Sequence, residues 1–313
     1  LVDRSIAANT TSGAAGLEVN LNPNSGSGVG GVVMNNASVN TGGRNFTVNH
    51  AEGNGNDVQL LTDGFYAYNS TITTGGGALA ITAVAPTDTA AGAGIRLVGA
   101  NTVFSTGSGN MTLSGTASNF AASGNKDGVI IGEGGNARVT LQSTSGNISI
   151  TGDVSGVGSD NTVTGGSRYD GVIVSSKALI QSGSGNITIE GVGGGGDKVF
   201  ISENHGVRFS DADTSVLSTS GNIAVVGTSG GKTKGTSGAN SFGIYAEGAN
   251  IYLGSGASAY ETTGSNIGLL KVAGPTASGH VTLAADSMQF INTSSSHLKA
   301  ASTGELRIHT LNA

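Results

Sequence analysis

STSGNISITGD, residues 143–153, returns all along the chain and decides how it is read. SGSGNITIEG (182–191), STSGNIAVVG (218–227), GSGNMTLSG (107–115) and GSNIGLL (264–270) repeat it closely, and GRNFTV (43–48), GGALAIT (76–82) and GELRIHT (304–310) more loosely. Gly and Asn tolerate positive φ and let the backbone corner sharply, while the apolar, any, apolar alternation that follows has the period of a half-buried strand. Each copy is therefore a turn feeding a strand. The equivalent turn positions Asn45, Ala78, Asn110, Asn147, Asn186, Asn222 and Asn266 step by 33, 32, 37, 39, 36 and 44 residues. That spacing is a repeat architecture.

Two further columns keep phase with the turns. A Gly followed by an apolar alternation precedes each one: GVVM at Gly31, GFYA at Gly64, GIRL at Gly94, GVII at Gly128, GVIV at Gly171, GVRF at Gly206 and GIYA at Gly243. Six residues before each turn position stands Val39, Ile72, Phe104, Leu141, Ile180, Val216 or Tyr260. Three short strands in fixed order, with no helical stretch between them, predict one coil of a right-handed three-sided parallel β-helix. A lone coil cannot bury its apolar side chains; stacking coils about 4.8 Å apart superposes like columns and pairs every strand edge. The inner column after the turns is then Phe46, Leu79, Met111, Ile148, Ile187, Ile223 and Ile267. The turn asparagines are expected to stack as a structural ladder, each amide bonding turn backbone.

Composition agrees. Repeats grow along one axis, so the 313 residues are expected to form a single elongated domain, 1–313, and a segment of something longer. SIAA at Ser5 and LEVNL at Leu17 read as a partial first coil, and HVTL, SMQF, HLKA and ELRI from Gly279 onward as a tighter last one. A net charge of −6 with scattered Lys and Arg leaves no basic patch for nucleic acid. The absence of cysteine removes disulfides and thiolate metal sites.

Six variable pieces, residues 49–63, 83–93, 115–127, 152–170, 191–205 and 227–242, occupy one place in the repeat. Gly-rich loops are thus expected along one edge of the rod, where repeat proteins often bind partners. Asp211 and Asp213 are carboxylates two apart, which on a strand would point the same way, but they read as a solvated corner between strands. Asn204, His205 and Gly206 faintly resemble the Gly-His-Gly of polygalacturonases. That family's Asn-Thr-Asp, paired Asp and Arg-Ile-Lys motifs are missing, and His205 reads as a surface-loop histidine. His50, His280, His297 and His309 have no metal-ligand spacing. SGVGSDNTV (155–163) and VGGGGDKVF (192–200) resemble a calcium-binding nonapeptide, yet each lacks the leading Gly and neither is tandem. Tyr66, Tyr68, Tyr245, Tyr252 and Tyr260 are the material for a small exposed patch, with some of them in the core. No residue is assigned a catalytic, cofactor-binding or metal role, and no cofactor is expected.

The SGNISITG and SGSGNITIEG turns, coupled to the DGVII and DGVIV strands, resemble the repeats of filamentous-haemagglutinin-like exoproteins, the adhesins of bacterial two-partner secretion. The resemblance runs from about Gly16 to the end. It implies export through an outer-membrane transporter partner, folding outside the cell, and a non-enzymatic role as a cell-surface or secreted adhesin whose partner is a receptor or glycan on a host or neighbouring cell. That family's secretion domain carries Asn-Pro-Asn-Gly; here Asn22, Pro23 and Asn24 are followed by Ser25, which points to the stalk or binding region. Two other readings stay open. One is an architectural filament that self-associates; the other is a polysaccharide-active β-helix enzyme, which needs carboxylates or histidines clustered on one exposed face.

Overall fold

The computed structural model describes residues 6–7, 16–21, 31–50, 63–86, 92–117, 124–133, 138–157, 168–195, 203–230, 241–248, 250–260, 270–272, 278–291 and 298–311. All regular structure among them is strand. The strands stack into three parallel sheets of eight, nine and nine strands, called A, B and C in the order a coil visits them. A representative coil runs Val172–Val174 in sheet A, Leu179–Ser182 in sheet B and Ile187–Val192 in sheet C. The protein is a three-sided parallel β-helix.

Register confirms the columns. In sheet B, Val39 pairs with Ile72, Ile72 with Phe104, Phe104 with Leu141, Leu141 with Ile180 and Ile180 with Val216. In sheet C the stack is Phe46, Leu79, Met111, Ile148, Ile187, Ile223. These side chains belong to one continuous core in which nearly every member is fully buried. Complete burial of each Ile or Leu stabilises by roughly 1.5–3 kcal/mol, and parallel pairing consumes the backbone donors and acceptors that would otherwise be stranded. Phe65 and Phe104 add an edge-to-face contact between sheets A and B, with ring centroids 6.3 Å apart.

The three corners use different chemistry. Between A and B the chain turns through left-handed residues, among them Asn36 (φ 50°), Asn69 (φ 47°) and Asp211 (φ 67°), types that adopt this region more readily than most. Between B and C lies the asparagine ladder. Asn45, Asn110, Asn147 and Asn186 each accept, through Oδ1, the backbone N–H of Ala78, Asn147, Asn186 and Asn222 one coil on, at 2.8–2.9 Å. Buried hydroxyls beneath it close the turn from inside: Ser182 Oγ donates to the Gly146 carbonyl at 3.1 Å and accepts the Gly185 N–H at 2.9 Å.

Between C and A the walls touch. A Cβ built on Gly152 would lie 1.9 Å from the Gly171 carbonyl oxygen, on Gly191 1.9 Å from that of Gly206, and on Gly227 1.9 Å from that of Gly243. None of these glycines has positive φ, so space, not backbone conformation, demands them. The variable pieces leave and return through this neck. Their central residues, 51–62, 87–91, 118–123, 158–167, 196–202 and 231–240, lie outside the described residues, as does the Asn22–Asn24 motif.

The last full coil differs from the sequence expectation. Leu253, not Tyr260, continues the sheet B column below Val216, and Val281 continues the sheet C column below Ile223. His280 takes the turn position, its N–H donating to Asn222 Oδ1 at 2.8 Å, while Asn266 and Ile267 lie outside the described residues. The step between turn positions here is 58 residues, from Asn222 to His280, because it holds an insertion: Ala257–Tyr260 pairs antiparallel with Leu270–Val272 as a side excursion. GSNI imitates the turn locally, but a rung needs two inward apolar positions in register, and Ile251/Leu253 and Val281/Leu283 supply them. A tighter final coil follows as expected, through Met288–Ile291, Leu298–Ser302 and Leu306–Thr310.

Candidate functional site: an arginine and carboxylate array on sheet A

The residue immediately before each neck glycine forms a second ladder. Asp63 Oδ1 accepts the Ala93 N–H at 2.7 Å, Asp127 Oδ1 that of Asp170 at 3.1 Å, and Asp170 Oδ1 that of His205 at 2.8 Å. His205 Nδ1 then accepts the Phe242 N–H at 3.1 Å. Ala93, a member of this column, packs with Ile130 and Ile173 in a small cluster separate from the main core, which places the column on the outer flank of sheet A.

Here the structure corrects one expectation. His205 is fully buried, not a surface-loop residue. Its ring stacks on Tyr245 at 4.2 Å and on Phe242 at 5.9 Å. Burial, reinforced by the Arg208 guanidinium, pulls the imidazole down to about 3, so it is neutral at physiological pH. A DG or HG pair reads as a turn in sequence; only coil stacking turns its first residue into a ladder rung.

Three arginines cover the ladder. Arg96 Nε lies 3.0 Å from Asp63, Arg168 Nη2 3.0 Å from Asp127, and Arg208 Nη1 3.8 Å from Asp170, which also stands 3.7 Å from Arg168. On the solvent side Arg96 pairs with Glu133, and Arg208 with Glu203 and, at 3.5 Å, with Glu247. Arg208 also lies 5.5 Å from the Tyr245 ring centroid. Asp127 and Asp170 are wholly buried and flank each other on successive coils. Burial first, and the nearby Asp127 carboxylate second, push Asp170 well above the usual carboxylate range, against the pull of Arg208 and Arg168.

That shift fixes a sign. Above the unfolded value of 3.8 the unfolded chain has shed a proton that native Asp170 still holds, so stability falls as pH rises through the window up to its folded value. Asp170→Asn keeps an oxygen acceptor for His205 and resembles the protonated acid among its neighbours Asp127, Arg168, Arg208 and His205. Buried His205 acts in the opposite sense in the same window, so the readout is the difference: the melting temperature of Asp170→Asn minus that of the native chain is expected to increase as pH rises from about 4 to about 8. Parallel melting curves would show that Asp170 ionises as freely in the rod as in the unfolded chain.

A trough lies beside the array. Along the outward column of sheet A the order is Tyr66, Arg96, Ile130, Ile173, Arg208, Tyr245. Two short apolar residues between long arginines, next to Gly132 and Ser175, leave a cavity of ≈ 440 Å³. Arg168, Arg208, Glu133 and Glu247 wall it, and Ser176, Ser210 and Asp211 close the side toward sheet B.

The remaining candidates do not assemble. Asp211 and Asp213 sit on the A–B corner with φ of 67° and 65°, as a corner reading requires. Asp211 accepts from the Ser176 N–H at 3.2 Å and Asp213 from Asn250 at 3.3 Å. Tyr245 and Tyr252 are buried, Tyr68 is exposed with Tyr66 half-buried two positions before it on the same strand, and the Tyr260 side chain lies outside the described residues, so the five do not share one patch. His50 is buried, His280 occupies the turn ladder and His309 is exposed; His297 and most of the two nonapeptide-like loops lie outside the described residues. Among the described residues no group of three or more His, Cys, Asp or Glu could hold a metal ion. Comparison with known proteins finds no matching family model, no matching curated protein and no matching solved structure. What fold and site define is a class: a β-helical rod with an ionic outer seam.

Proposed function

We propose that this chain is a non-enzymatic adhesive segment of a bacterial cell-surface or secreted protein, similar to the filamentous-haemagglutinin-like exoproteins that its turns resemble. The observation that carries this reading is the glycine neck. The chain crosses from Leu79–Val84 to Gly92–Val98 in 7 residues and from Ile148–Asp153 to Val172–Val174 in 18, yet both crossings leave the rungs in register. A scaffold whose connections vary in length without disturbing its core is suited to presenting binding loops. Support for a non-catalytic role comes from Asp127 and Asp170, which are buried and held by arginines and backbone N–H groups instead of facing a substrate. Under this reading the partners are an outer-membrane transporter during export and a receptor or glycan on the recognised cell, and the location is extracellular.

Replacing residues 158–167 and 196–202 with short Gly-Ser linkers tests it. Circular dichroism should stay that of a β-helix while adherence of protein-coated beads to host epithelial or bacterial cells is lost; undiminished adherence would overturn the proposal.

A further inference from the structure

We propose that the trough on sheet A is a binding site for a neutral saccharide, separate from the loops at the neck. Ile130 and Ile173 close its floor but are themselves 0% and 3% exposed, so the surface a ligand meets is the polar rim. Its rim interleaves donors and acceptors: the guanidinium groups of Arg168 and Arg208, the hydroxyls of Ser176 and Ser210, and the carboxylates of Glu133, Asp211 and Glu247. An anion entering this rim meets three carboxylates, and a cation meets two guanidinium groups. A sugar hydroxyl donates and accepts at once, so vicinal hydroxyls satisfy both kinds of wall without a net charge.

The wall groups are also held in place before any ligand arrives. Arg168 is fixed by Asp127 at 3.0 Å and Arg208 by Glu203 and Glu247, while Tyr245 donates to Glu247 Oε2 at 3.0 Å. Holding long side chains in one geometry beforehand reduces the entropy lost on binding. The cavity of ≈ 440 Å³ falls within the usual range for small-molecule sites and admits a mono- or disaccharide.

The experiment is saturation-transfer-difference NMR on the whole chain with cellobiose, lactose and maltose as neutral probes, and glucuronic acid and glucosamine as charged ones. At least one neutral disaccharide is expected to receive saturation and the charged sugars none. Ser210→Tyr, which fills the trough from an outward strand position, should weaken binding by at least about tenfold with unchanged circular dichroism. If Ser210→Tyr does not fold, Glu247→Gln reads the same wall and should weaken binding several-fold. The loop-replaced chain should bind as the native one does, so loss of adhesion and loss of sugar binding are read separately. No transfer to any neutral sugar, equal or stronger transfer to a charged one, or native affinity in the folded variant would each overturn the proposal.

Discussion

Gly171→Ala is expected to unfold the middle of the rod. A Cβ at this position would lie 2.4 Å from Val192 N, 2.6 Å from the Gly206 carbonyl oxygen and 2.8 Å from the Gly191 carbonyl carbon. Two are backbone atoms of Ile187–Val192, a strand paired on both edges, the third is the Gly206 carbonyl oxygen that accepts the Val172 N–H, and the Gly171 N–H itself donates to the His205 carbonyl at 2.9 Å. No side chain can rotate away to make room. Overpacking a core ordinarily costs 1–3 kcal/mol; where only backbone can yield, roughly 4 kcal/mol or more is expected. In a repeat protein the damage is local at first, because each coil contacts only its neighbours. Hydrogen exchange should therefore lose protection over Val172–Val174, Ile187–Val192 and Val207–Ser210 before Phe46–His50 and Leu79–Val84. Gly156→Ala is the control, since a Cβ there meets nothing within 4 Å and should leave the urea midpoint where it was. Native-like protection across the central coils of Gly171→Ala would mean that the neck is not a tight contact.

The second large effect is expected from Asp127→Ala. The substitution strands the fully buried N–H of Asp170, which has its acceptor at 3.1 Å in Asp127, and removes the nearest anion from Arg168. An orphaned buried donor costs about 1–3 kcal/mol, and breaking a buried ion pair at the expense of one partner about 3–5 kcal/mol. Two features bring the sum down. Arg168 is 20% exposed and reaches water, and removing the Asp127 carboxylate takes away one of the two influences that raise Asp170, which stands 3.7 Å from Arg168 and 3.8 Å from Arg208. A net loss of roughly 3 kcal/mol in urea titration is expected, with Asp127→Asn losing about half as much because its amide oxygen still accepts the Asp170 N–H. Equal stability of the native chain and both variants would remove the seam from the list of forces that hold the coils together.

The core columns were legible because a parallel stack forces like residues over like. Val39 to Val216 repeats one inward position per coil, and that periodicity survives without any knowledge of pairing partners. The asparagine ladder was legible for the same reason. The glycine neck was seen only in part: the sequence displays Gly128 and Gly152 as members of two unrelated motifs, and nothing local says that they press on each other across a corner. The acidic seam carried a faint signal in the recurrent Asp-Gly of Asp63, Asp127 and Asp170. His205 and Phe242 break that pattern, and the arginines that answer it lie on other strands. The trough left no signal at all, since it consists of what two isoleucines and a serine fail to fill between arginines of neighbouring coils.

By itself the sequence determined the repeat, its three strands and its turns, because these depend on φ preference and on an alternation that each short segment carries alone. Only the tertiary structure decided which glycines touch, which carboxylates are buried, and that Val281 rather than Ile267 completes the seventh rung. Those outcomes depend on contacts between residues about 20 to 60 positions apart, where the choice is made by steric fit and by the cost of leaving a buried polar group unpaired.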